Sequence, residues 1–268
     1  MAAEAESLDI GEVILHHVSD SEALIPIRIP IGSRVLDLSI TKHVIMLWIA
    51  AVLVFLLYAW LARRLRAAEH GEPKGTLATM LEFFVSFIRE QIVIPFIGRE
   101  YAPRFLPLSL TFFTFILVNN LLGLIPGSAT ATGNFNVTAG LATITFGMII
   151  YAGSIAHGFI GHWTNLVPHG LRPRIVYALL IPIEIISMFV KPFALTMRLA
   201  ANMTAGHIAI LAIMSFIFVF KSAIIGFAVS TPLMTGLLML EIIVCLVQAY
   251  VFTLLSSLFI GMAIHVHH

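Results

Sequence analysis

The chain has 268 residues, 59% of them hydrophobic and only 11% charged, and its mean hydropathy is +1.01. An average soluble domain is about 25% charged, so a soluble globular protein is excluded and an integral membrane protein is expected. The formal net charge is +1, and the lipid bilayer rather than nucleic acid is the expected surroundings.

The length leaves room for five or six spans of about 20 residues and a modest extramembrane segment. The single cysteine, Cys245, lies inside an apolar run, so it offers neither a disulfide framework nor a thiolate metal site and reads as a small buried hydrophobe. Residues 1–22 are polar and acidic. They show neither the basic-then-apolar pattern of a signal peptide nor the arginine-rich look of a transit peptide, and their pair His16 and His17 reads as a solvated surface feature. Ile25, Ile27, Ile29 and Ile31 alternate with prolines and Arg28, and Leu36, Leu38 and Ile40 alternate again after Gly32 and Ser33. That pattern predicts a short β-hairpin at the membrane surface, weakened by its prolines. Residues 1–42 are thus expected to form an extramembrane segment, and residues 43–268 a single membrane domain.

Residues 43–62 form the first expected span, and Arg63, Arg64 and Arg66 follow it as a basic cluster of the cytoplasmic side. Residues 79–98 carry Glu82, Arg89, Glu90 and Gln91 among apolar residues, which predicts an amphipathic helix lying at the interface. Residues 105–126 and 137–157 are the second and third spans, joined by a Gly-, Ser- and Thr-rich turn at 127–136. Residues 177–219 would reach roughly 65 Å as one helix, against a hydrocarbon core of about 30 Å. Pro182 and Pro192 offer kinks there, residues 220–231 a turn zone, and residues 232–264 a return helix. The expected fold class is an all-α membrane protein with five transmembrane crossings, one amphipathic interfacial helix and a long tilted helical hairpin in the C-terminal half. Nine lysines and arginines fall on one side of these spans and four on the other. Cytoplasmic loops are enriched in such residues, which puts the N-terminus outside and the C-terminus in the cytoplasm.

The charges inside the fourth segment carry the functional argument. Glu184, Lys191 and Arg198 are spaced by seven residues, so each lies about 20° from the last and all three share one helix face. His207 falls on the opposite face. A charge near the bilayer centre costs at least about 2.5–3.5 kcal/mol and normally faces a partner, a watery cavity or an ion path. Arg198 is the midpoint of its segment, and antiparallel pairing of the last two segments brings Gln248 level with Arg198 and Glu241 level with His207. Asn202 lies one turn beyond Arg198. Arginine stays charged at any accessible pH, whereas histidine and glutamate can exchange protons near neutrality in a suitable environment. A fixed positive charge flanked by titratable groups makes a barrier between two proton relays. The alternative is that the charges pair only to lock the hairpin, and five ionisable groups ordered by depth argue against it. Asn119 and Asn120, within the second span, read equally well as interhelical hydrogen-bond partners or as lining of a water path.

Three stretches now carry a resemblance: NLLGLIPG at 120–127, PIEIISMFVKPFALTMRLAANMTAGH at 182–207, and EIIVCLVQAYVFTLLSSLFI at 241–260. They resemble subunit a of the rotary F-type ATP synthase, the membrane stator beside the rotating ring of c subunits. The resemblance implies two aqueous half-channels separated by Arg198, which would face the proton-carrying carboxylate of the c-ring. Glu184 would belong to the inner half-channel, His207 with Glu241 to the outer one, and Asn202 and Gln248 match the polar neighbours of the family arginine. The implied partners are the c-ring, the peripheral-stalk b subunits and the remaining ATP synthase subunits, with no cofactor and no metal. Many bacterial members carry the acid nine residues after the arginine and the histidine in the last helix, whereas here His207 and Glu241 exchange places. The acidic N-terminal segment favours a bacterial inner membrane, with the mitochondrial inner membrane as the alternative. A secondary transporter is the rival from another class, but no second copy of the 184–207 pattern exists to form paired repeats. A sodium-coupled version of the same subunit is the rival within the family. No Gly-rich loop of the nucleotide-binding kind is present, so ATP chemistry is expected on another subunit.

Overall fold

The computed structural model describes residues 28–31, 34–37, 39, 41–67, 75–125, 131–164, 175–219 and 223–265, with the backbone alone described for some of these, Glu184 and His207 among them. The expectations for residues 1–22, and those for the loop holding Arg172 and Arg174, lie outside the described residues. Strands β1 (Arg28–Ile31) and β2 (Arg34–Asp37) pair antiparallel, with Arg28 opposite Asp37 and Pro30 opposite Val35. A proline is tolerated because both strands of a two-stranded ribbon are edges.

Five helical stretches are long and apolar enough to cross a membrane: Lys42–Arg66, Ala102–Gly123, Phe135–His157, Leu180–Ile213 and Ala228–Ile264. The first belongs to α1 (Lys42–Ala67), which buries a single stripe of Ala50, Val54 and Leu61 and exposes Trp48, Val52 and Phe55. Spacings of four and seven put the buried residues on one face. On that face the Tyr58 hydroxyl donates to the Leu110 carbonyl at 3.4 Å.

The helix expected at 79–98 starts earlier and is interrupted: α2 spans Thr76–Ile88, a π-helical turn covers Arg89–Val93, and α3 spans Ile94–Ile97. Pro95 has no N–H to offer the carbonyl one turn back, and in the widened turn the Ile94 N–H reaches five residues back to Arg89. Gly98 ends α3 at φ 90°, a conformation that costs a side-chain-free residue nothing. Ala78, Ile88, Ile92 and Ile97 are buried, while Leu77, Met80 and Phe83 are exposed. Apolar groups therefore lie on both sides of this stretch.

Helices α4 (Ala102–Gly123) and α5 (Phe135–His157) are linked in part by the 3-10 turn Ala131–Gly133. The side chain of Asn134 caps α5 by accepting the Asn136 N–H at 2.9 Å, satisfying one of the donors that a helix start leaves orphaned. The short α6 (Phe159–Thr164) follows. Then α7 (Ile175–Val219) and α8 (Ala223–Ile264) run for 45 and 42 residues. At about 1.5 Å per residue each exceeds 60 Å, twice a hydrocarbon core of about 30 Å. The return helix begins nine residues before the expected 232, so Pro232 lies inside α8 and most of the expected turn zone is helical. Proline within an apolar helix is tolerated when its surroundings satisfy the freed carbonyl. Pro182 and Pro192 likewise sit inside α7 without ending it.

The core lies where α8 meets α4, α5 and the α2–α3 stretch. Phe112 and Phe252 meet edge to face at 5.4 Å, and Phe84 packs on Phe113 at 4.9 Å. Small polar residues join the same helices: Ser109 bonds Ser257 at 3.1 Å and Thr145 bonds Ser256 at 3.3 Å. Where lipid removes the hydrophobic drive between helices, such close packing and hydrogen bonding hold them together.

Candidate functional site

Along α7 the residues Glu184, Lys191, Arg198, Asn202 and His207 follow one another in depth. Fourteen residues separate Glu184 from Arg198 and nine separate Arg198 from His207, which is about 21 Å and about 14 Å along the helix. Arg198 is exposed. Met197 beside it, and Ala194, Ala201 and Asn202 about one turn away, are exposed as well, so the guanidinium lies on an outward face of α7. No ion pair to Arg198 is formed among the described residues.

The hairpin joins the polar residues of its two helices in a definite register. Asn202 Nδ2 donates to Gln248 Oε1 at 3.0 Å, and Gln248 is only 4% exposed. Midpoint arithmetic levels Gln248 with Arg198, one turn deeper. The difference follows from side-chain direction: helical side chains tilt toward their own N-terminus, so in an antiparallel pair Gln248 leans back along α8 toward Asn202. Glu241, also 4% exposed, lies against Gly206, the residue before His207. Neither carboxylate oxygen of Glu241 has a hydrogen-bond partner among the described residues. Cys245, fully buried, sits on α8 between Glu241 and Gln248.

Lys191 is separated from this group. Its Nζ lies 5.8 Å from the centroid of the Phe259 ring, a cation held over an aromatic face of the neighbouring helix. Asn119 and Asn120 are buried at the far end of α4. Asn119 Nδ2 donates to the Phe115 carbonyl at 2.8 Å, and Asn120 Oδ1 accepts from Thr132 at 2.6 Å. Asn119 Oδ1 and Asn120 Nδ2 remain without partners among the described residues. Residue-by-residue reading missed Gly206 and the Ser109, Thr145, Ser256 and Ser257 contacts. The doublet Ser256 and Ser257 inside an apolar run was the available signal for the latter, whereas nothing in the sequence ties Gly206 to Glu241.

Five membrane-length helices, the last two forming a hairpin with an outward arginine, a buried amide pair and a buried carboxylate, define a multi-pass membrane protein built around ionisable groups within its spans. The chain belongs to the ATP synthase A chain family, whose model matches residues 44–261. It is 45% identical over 265 residues to ATP synthase subunit a of Chloroherpeton thalassium, covering 97% of this chain and 78% of that one. It is 42% identical over 270 residues to ATP synthase subunit a 2 of Prosthecochloris aestuarii, covering 97% and 82%. With ATP synthase subunit a of Myxococcus xanthus it shares 44% identity over 234 residues, covering 87% and 75%. Membership of the family makes it a membrane subunit of the proton-translocating part of an ATP synthase, in complex with other subunits of that assembly.

Proposed function

We propose that this chain is the stator of a rotary proton motor, in which two aqueous half-channels separated by Arg198 pass protons to and from a carboxylate on a c-ring. The observation that carries the reading is the exposed arginine on an outward face of a membrane-length helix with no acidic partner in its own chain among the described residues. A permanent charge in that setting calls for a counter-charge from a neighbour, and a ring carboxylate supplies one that comes and goes with its proton.

His207 and Glu241 receive protons on the outer side, where histidine can titrate near neutrality. The Asn202–Gln248 amide pair lies between them and Arg198 and holds the two helices in register at the transfer point. Arg198 faces the ring carboxylate and, because guanidinium does not give up its proton, blocks direct passage to the inner side. Glu184, about 21 Å along α7 from Arg198, leads protons away on the inner side. Asn119 and Asn120, each with a polar atom that has no partner among the described residues, are candidates for holding water on the outer side. The nine-to-four division of basic residues favours an external N-terminus and a cytoplasmic C-terminus, and the bacterial relatives favour a bacterial inner membrane. The b subunits of the peripheral stalk are the second proposed partner.

The test is Arg198→Ala in the whole complex. It should abolish proton-driven ATP synthesis and leave assembly largely intact, and Arg198→Lys should rescue poorly because a desolvated ammonium can lose its proton. Normal coupled synthesis by assembled Arg198→Ala complexes would reject the assignment.

A further inference from the structure

Gly206 is the one glycine in the 45 residues of α7. A glycine inside a helix costs about 0.5–1 kcal/mol relative to alanine, so its presence there calls for a reason. The structure supplies one: a Cβ at this position would collide with Glu241 Oε1 and come within 3.0 Å of its Cδ and 3.7 Å of its Cγ. This is not general to helical glycines in the chain, since a Cβ on Gly140, Gly147 or Gly236 would meet nothing within 4 Å. The carboxylate in the notch is 4% exposed, and neither oxygen is hydrogen-bonded among the described residues. A carboxylate so placed is held by shape, and the residue that shapes its seat fixes its distance to whatever exchanges protons with it.

We propose that Gly206 is a positioning residue for proton transfer: the missing side chain opens a notch in α7 that seats the Glu241 carboxylate against Gly206, the residue before His207. The inference rests on reading Glu241 as a proton carrier. Displacing a reacting group by about 1 Å can cost as much as about 100-fold in rate. A methyl group in the notch displaces the carboxylate by a comparable distance, and shortening the acid by one methylene withdraws it again.

The experiment uses the assembled complex in membrane vesicles and measures assembly, passive proton conductance, and proton-driven synthesis as a function of pH. Gly206→Ala should assemble and lose about 10-fold or more in synthesis and conductance, with a displaced pH profile. Adding Glu241→Asp should raise both above the Gly206→Ala level. A wild-type rate and profile in Gly206→Ala overturns the proposal, as does a loss in assembled complexes that Glu241→Asp leaves unrelieved. Should Gly206→Ala fail to assemble, Gly206→Ala with Glu241→Ala decides: recovered assembly puts the clash at the carboxylate as proposed, and continued failure makes the glycine a helix-packing residue and ends the proposal. Normal synthesis by Glu241→Gln removes the proton-carrier reading separately, because the assembly comparison still reports whether the notch exists.

Discussion

The Asn202–Gln248 hydrogen bond allows a stability prediction that depends on which partner is removed. Gln248 is 4% exposed and Asn202 is exposed, so the two deletions leave different groups behind. Asn202→Ala strands the Gln248 carbonyl oxygen between α7 and α8, and an orphaned buried acceptor costs about 1–3 kcal/mol. Gln248→Met keeps the volume and leaves Asn202 on an outer face where its amide can find other partners, so the loss should be near the net value of one interhelical bond, about 0.6 kcal/mol. In the double variant no orphan remains, and the coupling should be about 0.6–1.7 kcal/mol. Equilibrium denaturation of the purified chain in mild detergent, followed by helical circular dichroism, gives the four stabilities. Equal losses from the two single variants would refute the burial argument. Additivity within about 0.3 kcal/mol would show that the bond does not contribute to the hairpin.

Other perturbations probe topology and packing. An impermeant label should reach a cysteine placed at the N-terminus from outside and one placed beside Arg172 from inside, and labelling of both from one side would overturn the five-crossing orientation. Gly261→Ala should lower the thermal midpoint of the chain, since a Cβ there would collide with the Phe96 carbonyl and overpacking costs about 1–3 kcal/mol. Gly147→Ala, facing open space, should be neutral or gain up to about 1 kcal/mol of helix propensity, and an equal loss in both variants would remove the distinction.

The spans were legible because continuous apolar runs of about 20 residues have few other uses. The boundaries were less so: α8 begins at Ala223 rather than at 232 because Pro232, read as a helix start, lies inside a helix whose surroundings absorb it. The π turn at Arg89–Val93 escaped reading because proline says that a carbonyl is freed but not how the backbone accommodates it. Seven-residue spacing brought out Arg198, Glu241 and Gln248, yet the partner of Gln248 depends on side-chain lean, which spacing alone does not carry. Gly206 was invisible because the side chain it lies against comes from a residue 35 positions away on another helix.

The face shared by Glu184, Lys191 and Arg198 needs one refinement that separates two cations of equal formal charge. A straight helix drifts about 20° per heptad, and Lys191 and Arg198 come to different surroundings: Lys191 is half-buried over Phe259, and Arg198 is exposed. The ammonium is thus held by its own chain, through a contact worth about 0.5–2 kcal/mol, whereas no such contact holds the guanidinium among the described residues. Lys191→Met should therefore lower hairpin stability by that amount and leave proton-driven synthesis within about 2-fold of the wild type, while Arg198→Met abolishes it. Phe259→Leu should lose the same stability as Lys191→Met, and the double variant little more, because one contact is removed in either case. Synthesis rates and detergent unfolding of the four proteins test both halves. A loss of synthesis in Lys191→Met as deep as in Arg198→Met, with assembly intact, would mean that the lysine acts on the proton and not merely on the fold.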